Sequence, residues 1–167
     1  MHSLSKLVIT GLGLLCLLPS FKLTAQIWNI TDPTKAQVAT HHMPKPFALF
    51  ELDEAAMLAQ LKDAPMENTD DPFLSVKLPL PNQDIIETNV ALSPIAEKEL
   101  AEQFPSIQTF TAKDNEGGYG RFDFTKKGFH AMFFLHNGKT LFIDPIEIKE
   151  KRYYLVYYKI EIDIFII

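Results

Sequence analysis

The stretch from Tyr119 to Pro145, YGRFDFTKKGFHAMFFLHNGKTLFIDP, constrains the fold more than any other part of the chain. It holds three runs of aromatic and branched residues separated by two short turn signals, the pattern of three consecutive antiparallel strands. Asn137-Gly138 predicts a two-residue type I′ hairpin, a turn that needs positive φ at both central residues. Lys126-Lys127-Gly128 supplies the other turn, with Gly128 free to take the left-handed position of a bulge. The pairing that follows sets Phe124 opposite Phe129, Phe122 opposite Ala131 and Phe133 opposite Phe142. Phe122, Phe124, Phe129, Phe133 and Phe142 then share one face, the expected core. The middle run, Phe129 to Leu135, is apolar on both sides, which predicts a central strand covered on both faces.

The flanking elements follow from local signals. Phe47 to Glu51 reads as a short strand, and Asp53 stands where a helix N-cap belongs, ahead of Met57, Leu58 and Leu61. Pro65 closes that helix. Ser75 to Leu80 alternates, with Val76, Leu78 and Leu80 on one side, and Pro79 lacks a donor, which predicts an edge strand. Pro81-Asn82 turns the chain into a second strand, Ile85 to Leu92. Ser93-Pro94 is a helix start, followed by Ala96, Leu100 and Phe104 at helical spacing and stopped by Pro105. Ile107 to Ala112 and Tyr153 to Lys159 are further strands, with a loop around Ile146 to Lys151. The expected fold is α+β: one domain over residues 47–159, a largely antiparallel sheet with two helices packed on it.

The first 25 residues read as a secretory signal peptide, with Lys6, the apolar run Leu7 to Leu18 and the small-residue site Leu23-Thr24-Ala25. The run is too short for a stable membrane anchor, since a spanning helix needs about 20 apolar residues. The expected location is therefore outside the cytoplasm, extracellular or periplasmic. Residues 26–46 form a polar, proline-bearing extended lead-in. Cys16, the chain's single cysteine, would leave with the leader, and with it any disulfide, thiolate ligand or thiol nucleophile. Loss of Lys6 and Lys22 takes the formal net charge from −5 to about −7. Such an acidic domain argues against nucleic acid and anionic membrane as partners. The tail, Ile160 to Ile167, alternates and ends on Phe165-Ile166-Ile167; it is either another buried strand or the product of an interrupted reading frame.

Candidate chemistry is sparse. His41-His42 point opposite ways on an extended chain. His130 and His136 share one face of one strand but stand roughly 20 Å apart, too far for one metal. His130 is read instead as a hydrogen-bonded partner of Asp123 across the first hairpin. The serines have no Gly-x-Ser-x-Gly setting. Gly117-Gly118-Tyr119-Gly120 lies between strands, where it cannot serve as a phosphate loop. No catalytic, cofactor-binding or metal-ligating residue is assigned, and no cofactor is expected. The tyrosines at 153, 154, 157 and 158 are read as packing.

An ordered set of segments carries a resemblance: Leu78-Pro79-Leu80-Pro81, Phe104-Pro105-Ser106-Ile107 leading into Thr109-Phe110, Arg121-Phe122-Asp123, Gly128-Phe129-His130-Ala131-Met132, Ile143-Asp144-Pro145 and Tyr157-Tyr158-Lys159. Taken together they resemble the pro-region of secreted bacterial reprolysin-like (metzincin) zinc metalloproteases, over roughly residues 47–159. The resemblance implies a non-catalytic pro-domain, or a fragment of one, that assists folding or latency of a zinc endopeptidase. Its implied partner is the cognate catalytic domain. The H-E-x-x-H-x-x-G-x-x-H motif of that domain is not in this sequence, and residues 160–167 depart from the family pattern. A free-standing secreted protease inhibitor or binding module is the alternative, and a small hydrolase a third. The edge strand bearing Val76, Leu78 and Leu80 is the expected partner-binding element, because protease clefts bind extended chain by strand addition.

The exported protein is expected to begin at Gln26. Intact-mass measurement of secreted material checks this, and retention of Met1 would contradict it.

Overall fold

The computed structural model describes residues 26–34, 44–95, 103 and 107–159. Nine strands form a single antiparallel sheet curved into a half-barrel. They are β1 (Trp28–Thr31), β2 (Phe47–Leu52), β3 (Leu74–Pro79), β4 (Ile85–Leu92), β5 (Gln108–Lys113), β6 (Tyr119–Thr125), β7 (Gly128–Phe134), β8 (Thr140–Ile148) and β9 (Lys151–Tyr158). Their order in the sheet is β1-β2-β9-β8-β7-β6-β5-β4-β3. Strands β3 to β9 are thus an uninterrupted meander, and β2 then pairs with β9 to carry β1 to the opposite edge. The helix α1 (Glu54–Leu61) is the one helix among the described elements.

This corrects the expected class. The protein is mostly β, not α+β with two helices on a sheet. Alternation dominates the chain, and α1 has only eight residues, held at its start by Asp53, whose carboxylate accepts the Ala56 N–H at 2.9 Å. The apolar stripe Ala96, Leu100 and Phe104, expected as a second helix, lies outside the described residues, as do the leader and the tail beyond Lys159. The lead-in also contains more structure than its polarity implied. Trp28 to Thr31 pairs with β2 in the register Trp28↔Leu52 through Thr31↔Leu49.

The inner face of the half-barrel is the core. Phe50, Val76, Leu78, Val90, Phe110, Phe122, Phe129, Phe133, Leu141, Ile143, Tyr154 and Val156 all point into it, and Met57 and Leu61, one helical turn apart on α1, pack against them. The first hairpin has the expected register, with Phe124↔Phe129, Asp123↔His130 and Phe122↔Ala131. Gly128 adopts φ +112°, and a Cβ there would meet the Tyr154 hydroxyl at 2.8 Å, so glycine is needed on two counts.

The second hairpin differs from the reading of Asn137-Gly138. Leu135 N–H bonds the Lys139 carbonyl at 2.9 Å and Gly138 N–H bonds the Leu135 carbonyl at 3.0 Å. The loop therefore has three residues, of which Gly138 alone has positive φ. This slips the pairing by one residue: Phe133 faces Leu141, and Phe142 faces Met132 on the outer side. The physical reason lies in β8 itself. Pointing Phe142 inward would take Thr140 and Asp144 with it, and an unpaired buried carboxylate costs far more than one phenyl ring gains. The observed register instead buries Leu141 and Ile143 completely. The positive-φ pair of a type I′ turn appears elsewhere, at Lys149 and Glu150, so that the expected loop around Ile146 to Lys151 is the tight end of a hairpin paired from Leu141↔Tyr158 to Ile148↔Lys151. Strand β7 is not covered on both faces either: Met132 is 41 % and Phe134 37 % exposed.

Trp28 ties the two ends of the sheet together. Its ring makes edge contacts with Phe50, Phe129 and Tyr154 at centroid distances of 6.3, 5.5 and 5.5 Å, and its indole N–H reaches the Lys77 carbonyl of β3 at 2.9 Å.

Phe133→Ala, which empties a fully enclosed site, is expected to cost about 3–5 kcal/mol. Phe142→Ala, which removes a half-buried ring stacked on Tyr157, is expected to cost about 1–2 kcal/mol. Equal losses in urea denaturation would contradict the three-residue loop.

Candidate functional site

Strand β3 ends the sheet, and the structure places the three expected contact residues on it as follows. Val76 and Leu78 are fully buried in the core, and Leu80, just past the strand, is half-buried. Their side chains face inward, and what β3 presents at its free edge is main chain. Ser75, Lys77 and Pro79 turn their backbone groups away from β4, as alternation in an antiparallel pair requires. Pro79 falls at one of these outward positions, where its missing N–H breaks no ladder bond. The Gln60 amide of α1 donates to the Ser75 carbonyl at 2.8 Å, and Trp28 donates to that of Lys77. A cleft of about 460 Å³ runs between this edge and β1, lined by Trp28, Gln60, Ser75, Lys77, Ile85 and Glu87.

A second polar cluster fills a notch where two strands part. Strands β7 and β8 pair only from Ala131↔Ile143 to Phe134↔Thr140, whereas β8 stays paired with β9 to its end. Pro145, just past the split, has no N–H to offer β7. Phe129 N–H finds the Tyr154 hydroxyl instead, at 3.3 Å. That hydroxyl donates to Glu54 Oε1 at 2.6 Å, and Arg152 Nη1 reaches both oxygens of the same carboxylate at 2.9 and 3.1 Å. Arg152 Nη2 donates to the Lys126 carbonyl, while its Nε is buried with no acceptor among the described residues. Burial, and then the bond to Glu54, hold the Tyr154 phenol well above its ordinary range. The cluster joins the start of α1 to β9 and the first turn of the meander.

The third group lies on the outer face, in one row across β6, β7 and β8. Asp123 stands opposite His130, as expected, but the atom nearest the imidazole belongs to Asp144: His130 Nδ1 lies 3.4 Å from Asp144 Oδ1. The Tyr157 hydroxyl donates to the other oxygen of Asp144 at 2.8 Å. Burial raises the Asp123 carboxyl, against the lowering effect of His130. Burial and the bond to Asp144 push the Tyr157 phenol up to about 12. Beside the row is a hollow of about 300 Å³ with Met132 and Phe142 in its wall.

His136 lies in the loop between β7 and β8, and His41 and His42 lie outside the described residues. Among the described residues no group of three or more His, Cys, Asp and Glu side chains is placed to hold a metal ion, and no helix is long and apolar enough to cross a membrane. The tyrosines read as packing divide by face: Tyr154 is core, whereas Tyr157 carries a hydrogen bond to Asp144. The Glu54–Arg152 pair joins residues 98 positions apart, and only the fold brings them together. No family model, curated protein or solved structure matches the chain.

Because the folded pKa of Tyr157 is raised above the ordinary value of 10.0, its contribution to stability is complete below pH 10 and is lost as pH rises through about 12. Tyr157→Phe is expected to flatten the decline of unfolding free energy across that window. An unchanged alkaline profile, measured by urea titration at successive pH values, would contradict the burial and hydrogen bond assigned to this phenol.

Proposed function

We propose that the chain is a secreted, non-catalytic pro-domain of the kind that precedes reprolysin-like zinc endopeptidases, and that it acts on a catalytic domain as a folding aid or a latency element. The observation that carries this reading is the position of the resembling segments. Leu78-Pro79 ends β3, Arg121-Phe122-Asp123 lies in β6, Gly128 to Met132 in β7, Ile143-Asp144-Pro145 in β8 and Tyr157-Tyr158 in β9. They are framework of one sheet, as a shared non-catalytic fold requires. Latency has a route in the β3 edge, whose outward main chain has the form that a cleft for extended peptide accepts. The side chains of Val76 and Leu78 take no part in such a contact; Ser75, Lys77 and Pro79 do.

The test uses the catalytic domain encoded with this chain, recognised by its H-E-x-x-H motif. Addition of the purified protein is expected to suppress peptide hydrolysis or to raise the yield of refolded enzyme. Lys77→Pro, which deletes one outward N–H, is expected to weaken inhibition about fivefold, the worth of one hydrogen bond, while Lys77→Ala leaves it unchanged. If neither hydrolysis nor refolding yield responds, the pro-domain reading falls and the free-standing binding module takes its place. If inhibition survives Lys77→Pro, the edge is not the contact.

A further inference from the structure

The outer face of β6, β7 and β8 carries an uncovered apolar strip bordered by carboxylates. Met132 and Phe134 alternate along β7, and Tyr119 of β6 sets its ring 5.1 Å from that of Phe134. Tyr119 is 58 % exposed and Met132 41 %. On the other side of Met132, Phe142 stacks on Tyr157 at 5.5 Å. An isolated exposed apolar residue is ordinary, but a contiguous strip across four neighbouring strands marks a contact surface. Asp123 and Asp144 stand at one border, at the mouth of the hollow that Met132 and Phe142 help to line.

We propose that this face docks a protein partner through one of the partner's basic side chains, arginine or lysine, with the cation beside Asp123 and Asp144 and the aliphatic stem on Met132 and Phe142. That the partner is a protease domain rests on the pro-domain reading; the chemistry of the seat does not.

The two carboxylates differ in what already satisfies them. Asp144 accepts the Tyr157 hydroxyl and lies within reach of His130. Asp123 is partly withdrawn from water, and no donor among the described residues bonds it. Burial without a donor is costly for a carboxylate, and a cation supplied from outside removes that cost. The neighbouring base of this chain does not fill the role. Arg121, two residues before Asp123 on the same strand, is held by the Ser93 carbonyl at 2.9 Å and the Ser93 hydroxyl at 3.0 Å. The other two outer-face cations nearest the strip, Lys113 and Lys139, belong to its opposite end, where Lys113 pairs with Tyr119 in register and Lys139 follows the β7–β8 loop. The acidic border thus remains open to a positive partner. An apolar stem completes the fit, since arginine and lysine both bury their methylenes along such surfaces while their charged ends remain hydrated. The acidic balance of the whole chain favours the same encounter at long range.

The experiment is a titration of the isotopically labelled protein with N-benzoyl-arginine amide, which joins a guanidinium to an aromatic group, followed by amide NMR shifts. Saturable shifts at Asp123, His130, Met132 and Asp144 are expected at millimolar probe. N-benzoyl-glycine amide, which lacks the cation, is expected to give none. Asp123→Asn is isosteric and removes a desolvated charge, so the fold is retained; it is expected to weaken binding about fivefold, the worth of a half-exposed ion pair. Glu116→Gln, in an exposed loop, is expected to leave binding unchanged. Shifts confined to the β3 edge, equal binding by the glycine probe, or binding untouched by Asp123→Asn would each overturn the seat. Line broadening that grows with protein concentration without probe would assign the face to a second copy of the chain and overturn it equally. No protease enters this titration, so its failure is separable from failure of the pro-domain reading.

Discussion

The hydrogen bond from the Trp28 indole to the Lys77 carbonyl is the constraint on which the half-barrel depends. A sheet of nine strands has two edges, and here they are β1 and β3. One side chain spans the opening between them while its ring fills the centre of the core against Phe50, Phe129 and Tyr154. The curvature of the sheet, the seat of α1 and the partial capping of the β3 edge by Gln60 all follow from that closure. An indole suits the position because it is the one large apolar side chain with a donor at its rim and no acceptor to leave unsatisfied.

The core is otherwise a ladder of facing aromatics. Phe110 stacks on Phe122 at 5.0 Å, Phe122 meets Phe129 at 5.0 Å, and Phe124 meets Phe129 edge-on at 6.2 Å. These rings come from three adjacent strands, so each hairpin supplies part of the next strand's packing surface. Where the ladder stops, polar groups take over: Pro145 ends the β7–β8 pairing, and Tyr154, Arg152 and Glu54 occupy the notch that results. A proline that would be a defect in a fully paired strand here marks the point at which main-chain pairing passes to side chains.

What could be read from the residues was mostly what short-range chemistry decides. The first hairpin was legible because Lys126-Lys127 leaves one register open to its flanks, and the N-cap at Asp53 was legible because Glu54, Met57 and Leu61 follow at helical spacing. Asn137-Gly138 was ambiguous, since both two- and three-residue loops place glycine at a left-handed position. The side of β8 that carries Thr140 and Asp144 was the residue-level signal that could have settled it. Strand β1 was hidden because four residues in a polar stretch have no periodicity to speak of, although a lone tryptophan there was a pointer. The class was misjudged for a related reason: turns and alternation announce strands one at a time, whereas the extent of a sheet is a property of their sum. The pairs Glu54–Arg152 and Tyr157–Asp144 bring together strands and a helix whose neighbourhood only the fold decides.

The threading of β2 between β1 and β9 has a consequence for the order of assembly. Strands β3 to β8 can add one after another as the chain lengthens, each finding its neighbour already made. Strands β1 and β2 and the helix α1 are synthesised first yet have no place to dock until β9 exists, some hundred residues later. Native contacts so distant in sequence are slow to form, because the loop that joins them must close before it is rewarded. Completion is therefore withheld until the last strand arrives, a timing that suits a chain which must cross a translocation channel unfolded and become compact only on the far side.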